Sequence, residues 1–282
     1  MRIPIIDAHV HMDVRSANDY ELMALAGVEI VIVPSTFTGI RKHSRGEYEA
    51  GFQRVIEFER RRAEAFGIRL YAGVGVDPED LCDREAALAT IECLPDYLQN
   101  KHVCALGEIG LEHFSEIEIE CFRRQLRLAT ALRMPAIMHT PHGNKQSGLP
   151  RMLAILRQAI DEDGVDPSLL LLDDLNLEVC TSGILNNGIE FGAYGVSVSC
   201  VGPSLFLLHR KCAPDEVRKL LAEFGARRLL LNSALAWGFG DPLAIPRVLL
   251  SLRMNGVPEE TLRQLAFDNA AAFFSRSRYF QP

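Results

Sequence analysis

The chain has 282 residues, 48% of them hydrophobic and 24% charged, with a formal net charge of −7. That is enough apolar material for a large core, and the length allows one or two domains; α/β barrels of about 250 residues are routinely one. The acidic balance gives no global electrostatic reason to bind nucleic acid or an anionic membrane, and no apolar run approaches the ~18 residues of a membrane span.

Short β-branched apolar runs fall at 3–11, 28–35, 69–76, 103–111, 135–140, 169–175, 191–199 and 227–233. Continuous runs of this kind suit parallel strands buried on both faces. Between them lie charged segments of helical period, at Glu47–Phe66, Asp83–Gln99, Ser115–Arg133, Leu149–Asp161 and Ala213–Phe224. Gly67 and Gly225 mark helix stops, while Pro214 and Pro258 mark starts. Asp215 and Glu216 fall in a first turn, where they complement the helix dipole. Pro258 to Phe274 predicts a closing amphipathic helix packed on the body of the molecule. Strands and helices in this alternation predict a closed (β/α)8 TIM barrel, one domain over 1–282, with an open doubly wound sheet as the structural rival. The Gly-x-Gly at 73–75 lacks the third glycine and the helix start of a dinucleotide-binding turn.

The seven cysteines are odd in number and scattered, with no Cys-x-x-Cys pair. Cys104 and Cys200 sit in strand-like runs, as small core residues. The sequence opens directly on a strand, without a basic segment followed by an apolar stretch. Together these features predict a protein of the reducing cytoplasm.

The chemistry-bearing residues gather at predicted strand ends. The first strand delivers His9 and His11, which alternate onto one face and can grip one divalent metal. Glu108 ends an apolar run in the fourth strand, where a carboxylate costs several kcal/mol unless it is paired or bound to metal. His139 ends the fifth strand, Asp173 and Asp174 the sixth, and Asn232 the eighth. Structural alternatives exist for each: core histidines, a salt bridge from Glu108 to an Arg or Lys, and a helix cap for Asp241 ahead of Pro242. His142 and Lys145, in the loop after the fifth strand, are candidates for binding a substrate carboxylate or phosphate. Asn176 and Glu178 either orient ligands or start a helix. Asp7, Cys104 and Trp237 are read as structural.

Asp7-Ala8-His9-Val10-His11 resembles the opening of TatD-type metal-dependent hydrolases in the amidohydrolase superfamily. Gly107-Glu108-Ile109-Gly110-Leu111-Glu112 is similar to that family's glutamate motif. The Cys121–Leu126 helix with Ala129 and Pro135, and the Asp268–Phe274 segment, resemble its later landmarks. The resemblance is specific in the first half and looser after about residue 145. It implies two metals bridged by Glu108, one of them on His9, His11 and a strand-eight aspartate. The other takes His139 and a strand-six histidine. This chain places Asn232 and Asp174 at those last two positions.

Asp174 can still bind a divalent ion. An amide has no basic form near neutral pH, so Asn232 can only offer its carbonyl or hydrogen-bond a water, leaving Asp174 or Asp241 to take a proton. The resulting expectation is a hydrolase of a small ester, amide, lactone or phosphoester, acting through a metal-bound hydroxide. Its ligands are His9, His11, Glu108, His139 and Asp174, its catalytic residues Asn232 and Asp174, and its substrate contacts His142 and Lys145. One or two divalent ions are expected, zinc ahead of manganese or iron. The rivals are a metal-dependent deoxyribonuclease, as among TatD relatives, and a barrel that lost hydrolysis and serves as a binding protein.

Overall fold

Runs such as Leu170-Leu171-Leu172 have no polar side chain to show to water, so their strands must be covered on both faces. The computed structural model describes residues 3–143, 145–181, 188–199, 211–236 and 240–282, and covers them in that way. Eight strands lie in one sheet in sequence order: β1 (Ile5–Asp7), β2 (Val28–Pro34), β3 (Arg69–Val74), β4 (Val103–Gly110), β5 (Ala136–His139), β6 (Leu170–Leu175), β7 (Ala193–Ser197) and β8 (Leu229–Asn232). All seven neighbouring pairs are parallel.

Among the described residues the ends of the sheet meet through one bridge, from Val10 to Leu235. There His11 N donates to Leu235 O at 2.7 Å and Ala234 N donates to His9 O at 2.9 Å. Asp7 adds a side-chain tie, accepting from Ser233 N at 3.0 Å and Ser233 Oγ at 2.6 Å. The result is the expected (β/α)8 barrel. Cys104 is buried in its wall; Cys200 and Trp237 lie outside the described residues.

The helices between strands are α1 (Ala17–Ala26), α2 (Arg45–Gln53), α3 (Arg60–Glu64), α4 (Arg84–Tyr97), α5 (Glu116–Leu132), α6 (Lys145–Asp163), α7 (Leu177–Thr181) and α8 (Pro214–Phe224); α9 (Ala244–Met254), α10 (Glu259–Arg263) and α11 (Asn269–Phe274) follow β8. The segment expected as one helix over Glu47–Phe66 is α2 and α3 joined through a π-type turn at Arg54–Glu59. α5 starts where the sequence marks it: Ser115 Oγ accepts from Glu118 N, and the Glu118 carboxylate accepts from Ser115 N, a reciprocal cap for two orphan donors. No helix of the described residues is long and apolar enough to cross a membrane.

The Gly-x-Gly of β3 serves packing. A Cβ on Gly73 would lie 3.0 Å from Gly107 O, and one on Gly75 3.1 Å from Gly107 Cα. The chain's last helices occupy the opposite mouth from the strand C-termini. Asn269 Nδ2 donates to Ala226 O and Leu229 O, at the start of β8. Phe273, Phe274 and Phe280 join Ile6, Ile137, Leu171 and Leu230 in one buried cluster. With that mouth plugged by aromatics, the polar residues are left at the C-terminal ends of the strands.

Candidate metal centre

β1 ends at Asp7, short of the expected run to residue 11; the chain bends at Ala8 and His9 before Val10 bridges Leu235. His9 and His11 flank that bridge, with rings edge-on at 87° and their Nε2 atoms 2.8 Å apart. Two imidazole nitrogens this close repel unless a proton or a cation lies between them. Glu108 Oε2 completes the group, 3.5 Å from His9 Nε2 and 3.7 Å from His11 Nε2. Its other oxygen, Oε1, sits 3.3 Å from His139 Nδ1. One buried carboxylate thus faces two histidine sets.

His139 Nε2 is buried and has no hydrogen-bond partner. Gly110 makes room for this ring, since a Cβ there would fall 2.4 Å from His139 Cδ2. Asp77, in the loop after β3, brings an oxygen to the same place, so that Asp77, Glu108 and His139 form a second group able to hold an ion. Asp77 is also a loop tie, accepting from Glu79 N at 2.8 Å, Thr36 Oγ1 at 3.0 Å and Phe37 N at 3.1 Å. An unpartnered buried nitrogen beside carboxylates, and a crowded histidine pair, are what a divalent-ion site built of N and O donors requires.

A third group joins His9 to Asp173 and Asp174. Adjacent strand residues ordinarily point to opposite faces. Asp174 has a φ of +56°, so the alternation breaks and both carboxylates reach the site. Asp173 Oδ2 lies 2.8 Å from His9 Nδ1. Asp174 Oδ1 accepts from Ser197 Oγ at 2.7 Å, and its Oδ2 lies 3.4 Å from His142 Nε2.

A family model described as TatD related DNase matches residues 6–168, more than half the chain. An uncharacterized metal-dependent hydrolase of Methanocaldococcus jannaschii is 33% identical over 270 residues, covering 96% of this chain and 99% of the relative. The chain belongs to the TatD-related family of metal-dependent hydrolases. Among solved structures, the TatD-like protein of Archaeoglobus fulgidus superposes with a TM-score of 0.73 at 22% identity, over 96% of this chain and 99% of that one. The phosphotriesterase homology protein of Escherichia coli, crystallised with phosphate in its active site, gives 0.68 at 15% identity, over 97% and 99%. These two likenesses concern the fold.

In this TatD-related hydrolase the loop after β5 is pinned by Glu112, whose carboxylate accepts from His142 N and Gly143 N, both at 2.8 Å. That clamp lays the His142 ring 4.7 Å from the His139 ring, centroid to centroid. Lys145, buried at the start of α6, donates to Thr140 Oγ1 and to Thr140 O at 3.3 Å. Asn232 donates from Nδ2 to Asp173 Oδ1 at 2.7 Å and takes a 2.9 Å contact from Ser197 Oγ on its carbonyl. Asn176 caps α7, accepting from Val179 N at 3.1 Å; the Glu178 side chain lies outside the description. Asp241 accepts from Leu243 N and pairs with Arg247, the arrangement of a helix-start tie. Sequence reasoning passed over Asp77 and Ser197 and held Glu112 only as the last residue of the glutamate motif; an Asp-Pro pair just past the third strand was the signal available for Asp77.

Burial works against charge on His9 and His139, yet the carboxylates of Glu108 and, for His9, Asp173 hold both above the usual 6.5. Burial likewise opposes charge on Glu108, but His9 and His139 hold it well below 4.5. Burial pushes Asp7 up to about 6 against the Ser233 hydrogen bonds, and Asp80 to about 7 against the Lys42 pair. Stability from the raised histidines is full below pH 6.5 and lost as pH rises through their folded values; the raised aspartates also lose stability upward from about pH 4. Glu108 runs the other way, contributing above 4.5 and losing that contribution in acid. Burial and the His9 charge lower His11 to about 4, so its contribution rises between pH 4 and 6.5 and opposes the others there. Above pH 6.5 the raised groups set the slope, and the metal-free protein is expected to melt several degrees lower at pH 8 than at pH 6.5. Bound metal is expected to reverse that slope, because binding needs deprotonated ligands. Thermal melts in chelator from pH 6.5 to 8 check this; a metal-free melting temperature that rises over that range contradicts it.

Proposed function

We propose that this hydrolase cleaves a small phosphoester, lactone, ester or amide with divalent ions held by His9, His11, Glu108, His139 and Asp174. The observation that carries the reading is the split carboxylate of Glu108, one oxygen toward the His9–His11 pair and the other toward His139. Bound there, the ions would polarise the substrate's carbonyl or phosphoryl oxygen and acidify water. Imidazole-rich coordination favours zinc, then manganese or iron.

Asp174 is the proton acceptor in this reading, since its carboxylate groups with His9 and lies 3.4 Å from His142 Nε2, and Asn232 has no basic form. Asn232 contributes as a hydrogen-bonding group that holds the acids in place. His142 and Lys145 meet the anionic end of the substrate. Burial lowers both, while Asp174 and Glu79 raise His142 above its ordinary value. A phosphate held in the active site of the Escherichia coli neighbour supports a phosphoryl-type substrate. The six free cysteines among the described residues support a cytoplasmic setting.

The second reading is a deoxyribonuclease, favoured by the family description. The net charge of −7 weighs against it, because a DNA groove is ordinarily basic. Purified protein loaded with zinc or manganese, then offered phosphoesters, lactones, esters, amides and single- and double-stranded DNA, decides between them. Turnover of a small substrate with no DNA cleavage is the expected result. Cleavage of DNA alone favours the nuclease, and failure to retain either metal favours a binding protein.

A further inference from the structure

Asp173 is fully buried, and each of its oxygens is committed. Oδ2 faces His9 Nδ1 at 2.8 Å, and Oδ1 accepts from Asp174 N at 2.8 Å and Asn232 Nδ2 at 2.7 Å. β7 is shaped around this arrangement. A Cβ on Gly195 would stand 1.9 Å from Asp173 Oδ1 and 3.2 Å from Asn232 Nδ2, so only glycine leaves the space. An acceptor at Nδ1 keeps the His9 proton on that nitrogen and turns the Nε2 lone pair toward His11 and Glu108. Asn232 is committed at both ends as well, with its carbonyl at the Ser197 hydroxyl. A carboxylate at position 232 would set an oxygen 2.7 Å from Asp173 Oδ1 with no donor between them. Two buried carboxylate oxygens at that separation repel strongly.

We infer that Asp173 is the residue that positions His9 for metal, and that Asn232 is an amide because the single negative charge of this pair resides on strand six. This rests on the reading that His9 ligates the ion. Asparagine at 173 serves the same contacts badly. If its oxygen stays on Asp174 N, its amide nitrogen faces His9 Nδ1 and drives the imidazole proton to Nε2, the ligand atom. If it flips, it loses the Asp174 contact and sets its amide against that of Asn232.

The test is zinc affinity, measured by competition with a chelator on the full chain. Asp173→Asn is expected to bind roughly 10–100-fold more weakly than wild type. Asn232→Asp alone is expected to bind more weakly too. The double variant restores one charge to the pair and is expected to bind zinc more tightly than either single variant, a rescue that loss of packing cannot produce. Asp173→Asn within twofold of wild type overturns the inference. So does a double variant no tighter than Asn232→Asp, the comparison that stands even if Asp173→Asn alone does not fold. Wild-type protein that binds no zinc overturns the metal reading itself and is seen before any variant is made.

Discussion

A protein carrying both His9→Ala and His11→Ala holds at least about tenfold less transition metal than wild type after purification and reloading. The pair supplies the two nitrogens that stand 2.8 Å apart, and no other described nitrogen joins Glu108 Oε2 at that point. The change also leaves Asp173 Oδ2 without its imidazole partner. Elemental analysis of both proteins is the measurement, with a thermal melt of the metal-free forms to show that each is folded. Unchanged metal in the folded double variant places the ion elsewhere.

Glu108→Gln has a comparably large effect on metal and a small one on the metal-free fold. Within 4.0 Å the described charge partners of Glu108 are His9, His11 and His139. A lysine or arginine stripped of a buried carboxylate keeps its charge and costs roughly 3–5 kcal/mol. An imidazole can instead release its proton, so the neutral amide leaves no stranded charge. The expected outcome is metal content below about a tenth of wild type, with metal-free melting temperatures at pH 8 that differ by only a few degrees. A metal-free loss equivalent to 3–5 kcal/mol identifies Glu108 as a structural ion-pair partner and removes it from the metal centre.

The barrel was legible because its strands are apolar on both faces and its helices carry their own starts and stops, as at Ser115 and Gly225. The outline of the site was legible for a related reason: His9, Glu108 and His139 are costly residues in otherwise apolar runs. Sequence reasoning reached its limit where local rules were suspended. Alternation along a strand separates Asp173 from Asp174, and only the left-handed backbone of Asp174 lets both carboxylates serve one site. Asn232 shows the same limit in another form. Beside its strand neighbours it is an unexplained amide; beside Asp173 it is the donor that a lone buried carboxylate needs. Glu112 and Asp77 act through loops, where spacing along the chain says little about which backbone amides they will meet.

The seam where β8 meets β1 is made by the residues proposed to hold metal. His9 lends its carbonyl and His11 its amide to the bonds that shut the cylinder, while their rings turn toward Glu108. An ion held by those rings would brace the joint from inside, and slower amide exchange at His11 and Ala234 in zinc-loaded than in metal-free protein is the expected sign of it.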